Sequence, residues 1–353
     1  MKLIRFIFGF CLIPALLCGC RKEKTAPEGP KPIAFSAGVS TQTKALKPDD
    51  PSILLTVGAK ASIFCTRVED PESRQIINNR VLQCDEVPDP STPGNPLSSV
   101  WNYNPVEYWE DSGDYYFTGV FPYSGDNISI DNAYYLNVRY LAGSNTDLMV
   151  ARAYRDAAVN TDPVPLEFKH TTAAVRILFG KASDSPSDNY ALTDFQLESL
   201  NAAGTFKVLT RLNTAGIAAD PISPSNWTSG SPATLAAWSA ESVEDRIAIP
   251  HPADSDDPDD PDGYIQMGWY YMIPQALNGE SAIRFSIVYN NEDPVETVLS
   301  ITDRDGIPGA DSWIPNCVYN YYITLSHSGL NLTVKTTRWD EVQVNTDDIN
   351  FEG

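Results

Sequence analysis

The sequence predicts an all-β protein built as two tandem β-sandwich domains. Three observations carry that reading. Apolar residues alternate with polar ones in short segments that recur roughly every 8–15 residues, the spacing of strands joined by loops. Aromatics are abundant, with 17 Tyr, 13 Phe and 7 Trp, while 27 Pro and 21 Gly are spread along the chain instead of collecting in one linker. Nothing in the sequence shows the 3.6-residue period of a long amphipathic helix; the stretch Thr234 to Glu244 suits at most a short one. At 353 residues the chain is long enough for two domains.

The elements follow in order. "IAFSAGVS" places Ile33, Phe35, Ala37 and Val39 on one face and Ala34, Ser36, Gly38 and Ser40 on the other, which is strand alternation. Further strands are expected near 53–57, 60–67 and 79–84, then a Pro-rich loop "EVPDPSTPGNPLSS". An aromatic block, "VWNYNPVEYWEDSGDYYFTGVFPYSG", has at its centre Tyr115 to Phe121, a buried strand stopped by Pro122. "DLMVARA" is a short segment between loops. A second domain begins near Val164, where "VPLEFKHTTAAVRILFG" alternates, pauses at HTTAA and alternates again, as a strand with a bulge or kink would. "TDFQLESLNAAGTFKV" reads as a hairpin turning at Asn201 to Gly204. "RIAIP", "YIQMGWYYMIP", "AIRFSIVYN" paired with "ETVLSI", "CVYNYYITL", "LNLTVKTTRW" and "EVQVN" complete the set. The division is therefore 1–19 leader, 20–32 spacer, 33–162 first sandwich and 163–353 second sandwich.

The N-terminus carries the leader. Lys2 and Arg5 precede an apolar stretch too short to span a bilayer. Leu17-Cys18-Gly19-Cys20 then has the order of a bacterial lipobox, with cleavage between Gly19 and Cys20 and acylation of the Cys20 thiol and amine. Two or more chains anchor stably, whereas one does not. The following "RKEKTAPEGPKP" suits a flexible spacer off a membrane. The net charge of −21 becomes −23 once the two basic residues of the leader are removed, a balance that repels nucleic acid and anionic lipid. Removing the leader also reduces six cysteines to Cys20, Cys65, Cys84 and Cys317. Free, buried thiols are the favoured state, with a single Cys65–Cys84 disulfide as the alternative.

Candidate chemistry is sparse. Three histidines, His170, His251 and His327, form no metal or hydrolase motif, and no phosphate-binding loop or dinucleotide fingerprint is present, so no cofactor and no enzyme activity are expected. His170 reads as a structural side chain. The run Asp254, Asp256, Asp257, Asp259, Asp260 and Asp262 is a weak Ca²⁺ candidate whose EF-hand spacing breaks at Pro258; a solvated loop is the simpler reading. Trp101, Tyr103, Tyr108 and Trp109 would form a carbohydrate-stacking platform if exposed and a core if buried.

Several segments together resemble the fimbrillin family of Bacteroidales, in its fimbrillin-like (Mfa-like) branch: the lipobox at Cys20, "IAFSAGVSTQTKA", "WNYNPVEYW", "YYFTGVFPYS", "DLMVA", "LEFKHTTAAVRILF", "YMIPQ", and "WIPNCVYNYYITL" followed by "TTRWDEV". They occur in the family's order over nearly the whole chain. The resemblance implies two transthyretin-like β-sandwich domains, export as a lipoprotein to the outer membrane, and assembly with other subunits into surface fimbriae. It implies strand exchange: cleavage after a basic residue beyond the first strand frees that strand, and a strand of another subunit fills the groove by β-augmentation. The residue at the matching place is Lys44, before Ala45, where many relatives carry Arg; Lys47, which precedes Pro48, and Arg67 are fallback sites. Beyond Trp339 the tail "DEVQVNTDDINFEG" alternates at Val342 and Val344 and is diluted by Asp347 and Asp348, which suits a tip or accessory subunit better than a polymerising stalk. The competing expectation is a surface glycan- or ligand-binding lipoprotein that does not polymerise.

Overall fold

The computed structural model of the chain describes residues 29–39, 57–69, 72–86, 99–131, 135–142, 146–182, 189–210, 222–251, 263–290, 292–302, 311–326 and 329–338. Most of them are in β-strands. In chain order these are β1 (Phe35–Val39), β2 (Lys60–Glu69), β3 (Glu72–Glu86), β4 (Ser99–Tyr103), β5 (Asp114–Phe121), β6 (Ile128–Ile130), β7 (Tyr135–Leu141), β8 (Met149–Asp156), β9 (Val164–His170), β10 (Ala173–Lys181) and β11 (Tyr190–Asn201). There follow β12 (Ala203–Leu209), β13 (Trp227–Ser229), β14 (Pro232–Ser239), β15 (Ile247–Ala248), β16 (Ile265–Met272), β17 (Gln275–Ala276), β18 (Ala282–Tyr289), β19 (Val295–Ser300), β20 (Ser312–Trp313), β21 (Cys317–Ser326) and β22 (Gly329–Arg338).

The first part closes on itself. Pairing runs β1-β4-β3-β2-β5-β8-β9 and back to β1, a seven-stranded closed barrel. Its contacts are antiparallel except β1 with β9, which is parallel. Inside lie Ile33, Phe35, Ala61, Ile63, Ile77, Trp101, Phe117, Leu166 and Phe168, all buried. Gly119 of β5 permits this filling: a Cβ there would meet the Phe168 ring at 2.9 Å. The second core is built from a sheet β16-β10-β21-β22, a sheet β14-β11-β18-β19 and a sheet β13-β12-β7-β6. Phe64, Val120 and Val150 of the barrel belong to this second core, so β2, β5 and β8 are apolar on both faces.

Three local expectations are corrected. The stretch 164–181 is two strands in different sheets, not one kinked strand: β9 belongs to the barrel and β10 pairs with β16 and β21. Backbone and side chains of the interruption are claimed elsewhere, as described below. Sheet membership thus changes between His170 and Ala173, and β6–β7 pair with β12 of the second core. The stretch 194–208 is no hairpin, because β11 pairs with β14, β15 and β18 while β12 pairs with β7 and β13. Each side of the supposed turn finds its own long partner, and those ladders outweigh a local turn. Of the stretch Thr234 to Glu244, the residues up to Ser239 belong to β14 and not to a helix: β11 offers an edge, and pairing Leu235 with Leu197 and Trp238 with Phe195 overrides the helix propensity of the alanines. The hairpin 282–300 is as expected, from Ile287 opposite Val295 to Ala282 opposite Ser300.

Candidate assembly site at the first strand

β1 lies between β4 and β9. Phe35, Ser36 and Ala37 face Trp101, Val100 and Ser99 across the antiparallel side, and Phe35 through Val39 run beside Val164 through Phe168 on the parallel side. The alternation predicted from the sequence is observed: Ile33, Phe35 and Ala37 are buried, Ala34 is exposed and Ser36 is intermediate. Phe35 meets Tyr103 edge-on at 5.3 Å between ring centres and Phe117 at 5.6 Å. Burying Ile33 and Phe35 contributes about 1.5–3 kcal/mol each.

Polar groups fix the register. Ser99 Oγ donates to Ala37 O at 2.8 Å, and Trp101 Nε1 donates to Ser99 Oγ at 2.8 Å. Ile33 N donates to Glu107 O at 2.9 Å, Val164 N to Ala34 O at 2.8 Å and Trp109 N to Lys31 O at 3.0 Å. Lys31 Nζ reaches Thr161 Oγ1 at 3.0 Å on the surface. The occupant of this slot must therefore be an extended strand with a branched apolar side chain, then an aromatic ring, then a small residue at alternate positions. β9 depends on it, since β9 is in register with β8 at only Met149–His170 and Val150–Lys169.

The expected platform is core. Trp101, Tyr103 and Trp109 are 2%, 7% and 7% exposed, and only Tyr108, at 50%, faces solvent. Tyr103 accepts the Glu107 N–H at 3.0 Å, and burial pushes its phenol up to about 12. A glycan-stacking role for the four together is thereby excluded.

Arg67, the fallback cleavage point, sits in β2 between β3 and β5. Its guanidinium donates to Ser112 O at 3.1 and 2.9 Å and pairs with Glu69 at 2.7 Å and Glu110 at 3.3 Å. A protease cannot take this backbone from the folded protein. Gly19, Cys20, Lys44, Ala45, Lys47, His327 and the run Asp254, Asp256, Asp257, Asp259, Asp260 and Asp262 lie outside the described residues. Cys65, Cys84 and Cys317 are buried and in no disulfide; the Cys65 thiol is pushed well up, chiefly by burial.

His170 is a structural side chain, and its partner Asp147 is what sequence reading did not reveal. Its Nδ1 is bonded to the Asp147 carboxylate, and Thr172 Oγ1 donates to the other carboxylate oxygen at 2.6 Å. Between them Thr171 Oγ1 donates to Leu148 O at 2.7 Å, and Thr171 O accepts Trp227 Nε1 at 3.0 Å. Asn316 N donates to Thr172 O at 3.0 Å. This buried polar joint hands the chain from barrel to second core. The signal available was three consecutive polar residues inside an apolar run. Both His170 and Asp147 are buried, an arrangement suited to holding structure. Among the described residues no three His, Cys, Asp or Glu side chains converge on a metal-sized site.

The comparisons agree with this architecture. A family profile described as fimbrillin-like matches residues 90–339. Among solved structures, a fimbrial protein from Bacteroides vulgatus aligns with a TM-score of 0.53 at 10% identity, covering 88% of this chain and 99% of its own. A provisionally assigned cell adhesion protein from Bacteroides uniformis gives 0.51 at 14% identity, covering 89% and 99%. One from Bacteroides ovatus gives 0.51 at 13%, covering 88% and 98%. At these identities the likeness is one of fold. No curated protein matches the sequence.

Proposed function

The chain belongs to the fimbrillin-like family, and from that premise we propose that it is a structural or adhesive subunit of cell-surface fimbriae, without enzymatic activity, assembled by exchange of its first strand. The observation that carries the reading is the seat of β1, a short strand whose removal opens the barrel between β4 and β9. The slot then offers two unpaired backbone edges, which a foreign strand satisfies by β-augmentation, and side-chain seats that select it. The uncut strand covers those edges until assembly.

In this proposal the precursor is exported behind the lipobox and anchored in the outer membrane through Cys20. Cleavage between Lys44 and Ala45 releases the domain from the lipid and opens the slot in one step. Asp347 and Asp348, which dilute the apolar alternation of the tail, favour an accessory or tip subunit over a bulk stalk subunit. The tandem transthyretin-like description belongs to the same proposal; two hydrophobic clusters support two packing units, with the passage between them moved from 162/163 to the segment between β9 and β10.

Protein lacking residues 21–44 tests the reading. It is expected to be soluble and folded, to associate through the open slot, and to be returned to a monomer by an excess of a peptide carrying residues 33–39. A monodisperse monomer as stable as the uncut protein would contradict it. Association into long polymers would move the chain from tip or accessory subunit to stalk.

A further inference from the structure

A second feature lies away from β1. A groove of about 670 Å³ runs over the outer side of the sheet β13-β12-β7-β6 and beneath the loop that leaves β5. Register places four of its residues in one row across the sheet. Asn127 O accepts Arg139 N at 2.8 Å, Arg139 stands opposite Thr205, and Thr205 stands opposite Thr228. Arg139 and Thr228 are exposed and Thr205 is half-buried, so the row faces outward. Neighbouring strands are about 4.8 Å apart, a step comparable with the width of a pyranose ring. Tyr123 and Leu141, 38% and 70% exposed, flank the row with apolar surface in the same groove.

The charge at Arg139 selects the ligand. Four other arginines, Arg67, Arg74, Arg80 and Arg284, each pair with glutamate. Arg139 has no carboxylate within ion-pairing distance among the described residues. A guanidinium presents a planar fork that fits a carboxylate with two parallel hydrogen bonds. The adjoining hydroxyl and amide groups both donate and accept, as sugar hydroxyls do, and the volume lies within the range of small-ligand sites, about 300–1,000 Å³.

We propose that this groove binds a carboxylated monosaccharide unit, of the uronic- or sialic-acid type. The carboxylate sits on Arg139, ring hydroxyls bond to Asn127, Thr205 and Thr228, and the apolar face of the ring lies against Leu141 or Tyr123. The site is separate from the slot of β1 and does not depend on strand exchange.

The test is calorimetric titration of the whole chain with glucuronic acid and with N-acetylneuraminic acid, using glucose and acetate as controls. At least one acid is expected to bind saturably, at least tenfold more tightly than either control. Arg139→Gln should weaken that binding tenfold or more, Arg139→Lys less, and Thr228→Val severalfold, each with an unchanged circular dichroism spectrum. The proposal is overturned if neither acid binds or if Arg139→Gln binds as well as the parent. Equal affinity for acetate would reveal a simple anion contact, and equal affinity for glucose a neutral-sugar site; either result also overturns it.

Discussion

Phe35 and Tyr108 differ by their surroundings more than by their chemistry. Phe35 is wedged edge-on between Tyr103 and Phe117, whereas Tyr108 is half exposed on the barrel's surface. Phe35→Ala should therefore cost about 3–5 kcal/mol and Tyr108→Ala no more than about 0.5 kcal/mol, measured by urea unfolding. Asp147 holds His170 and Thr172 in a buried joint, and removing one member of such a set strands the others. Asp147→Ala should cost about 3–5 kcal/mol by the same measurement. The tyrosines give a pH dependence. Burial pushes Tyr103, Tyr270 and Tyr319 up to about 12, above the ordinary value of 10.0. Well below pH 10 their phenols are protonated in both folded and unfolded chains, and these tyrosines add no pH dependence to stability. Between pH 10 and about 12 the unfolded chain gives up these protons while the folded one keeps them, so stability falls as pH rises. Tyrosinate absorbance from these residues should appear together with unfolding; its appearance in fully folded protein would contradict their burial.

The elements show which parts of the fold could be read from local pattern. β1 and the hairpin of β18 and β19 follow from alternation and turn residues, and β5 from its continuous apolar run stopped by Pro122. β11 and β12 looked like a hairpin since Asn201 to Gly204 is good turn chemistry, yet their partners β18 and β7 come from distant segments. Thr234 to Glu244 has the composition for a short helix, yet its first part joins β14 for the same reason: the alanines state a propensity, and the edge of β11 decides the outcome. Likewise the row Asn127, Arg139, Thr205 and Thr228 brings together four segments, and no spacing along the chain announces it. Gly119 is legible only in three dimensions, where it makes room for Phe168. Gly119→Ala should cost about 1–3 kcal/mol, checked by thermal unfolding against a Gly279→Ala control, where a Cβ meets nothing within 4 Å. β9 offers a further test. With β1 absent, its amides at Leu166 and Phe168 should lose hydrogen-exchange protection, while those of β5 keep theirs.

For the molecule as a whole, the closed barrel matters because closure leaves its strands no free edge. One short strand, N-terminal in the chain and parallel to its neighbour, completes that closure. The second core is joined to the barrel through β2, β5 and β8 and through the His170–Asp147 joint, so it does not require β1 for its own packing. Losing β1 should accordingly open one slot in an otherwise intact molecule. In the proposed pathway that loss is also the step that frees the subunit from its lipid. The most direct measurement is the N-terminal sequence of the protein extracted from assembled surface fibres. A terminus at Ala45 is the predicted result; a lipid-blocked Cys20, with β1 still attached in the fibre, would contradict strand exchange as the means of assembly.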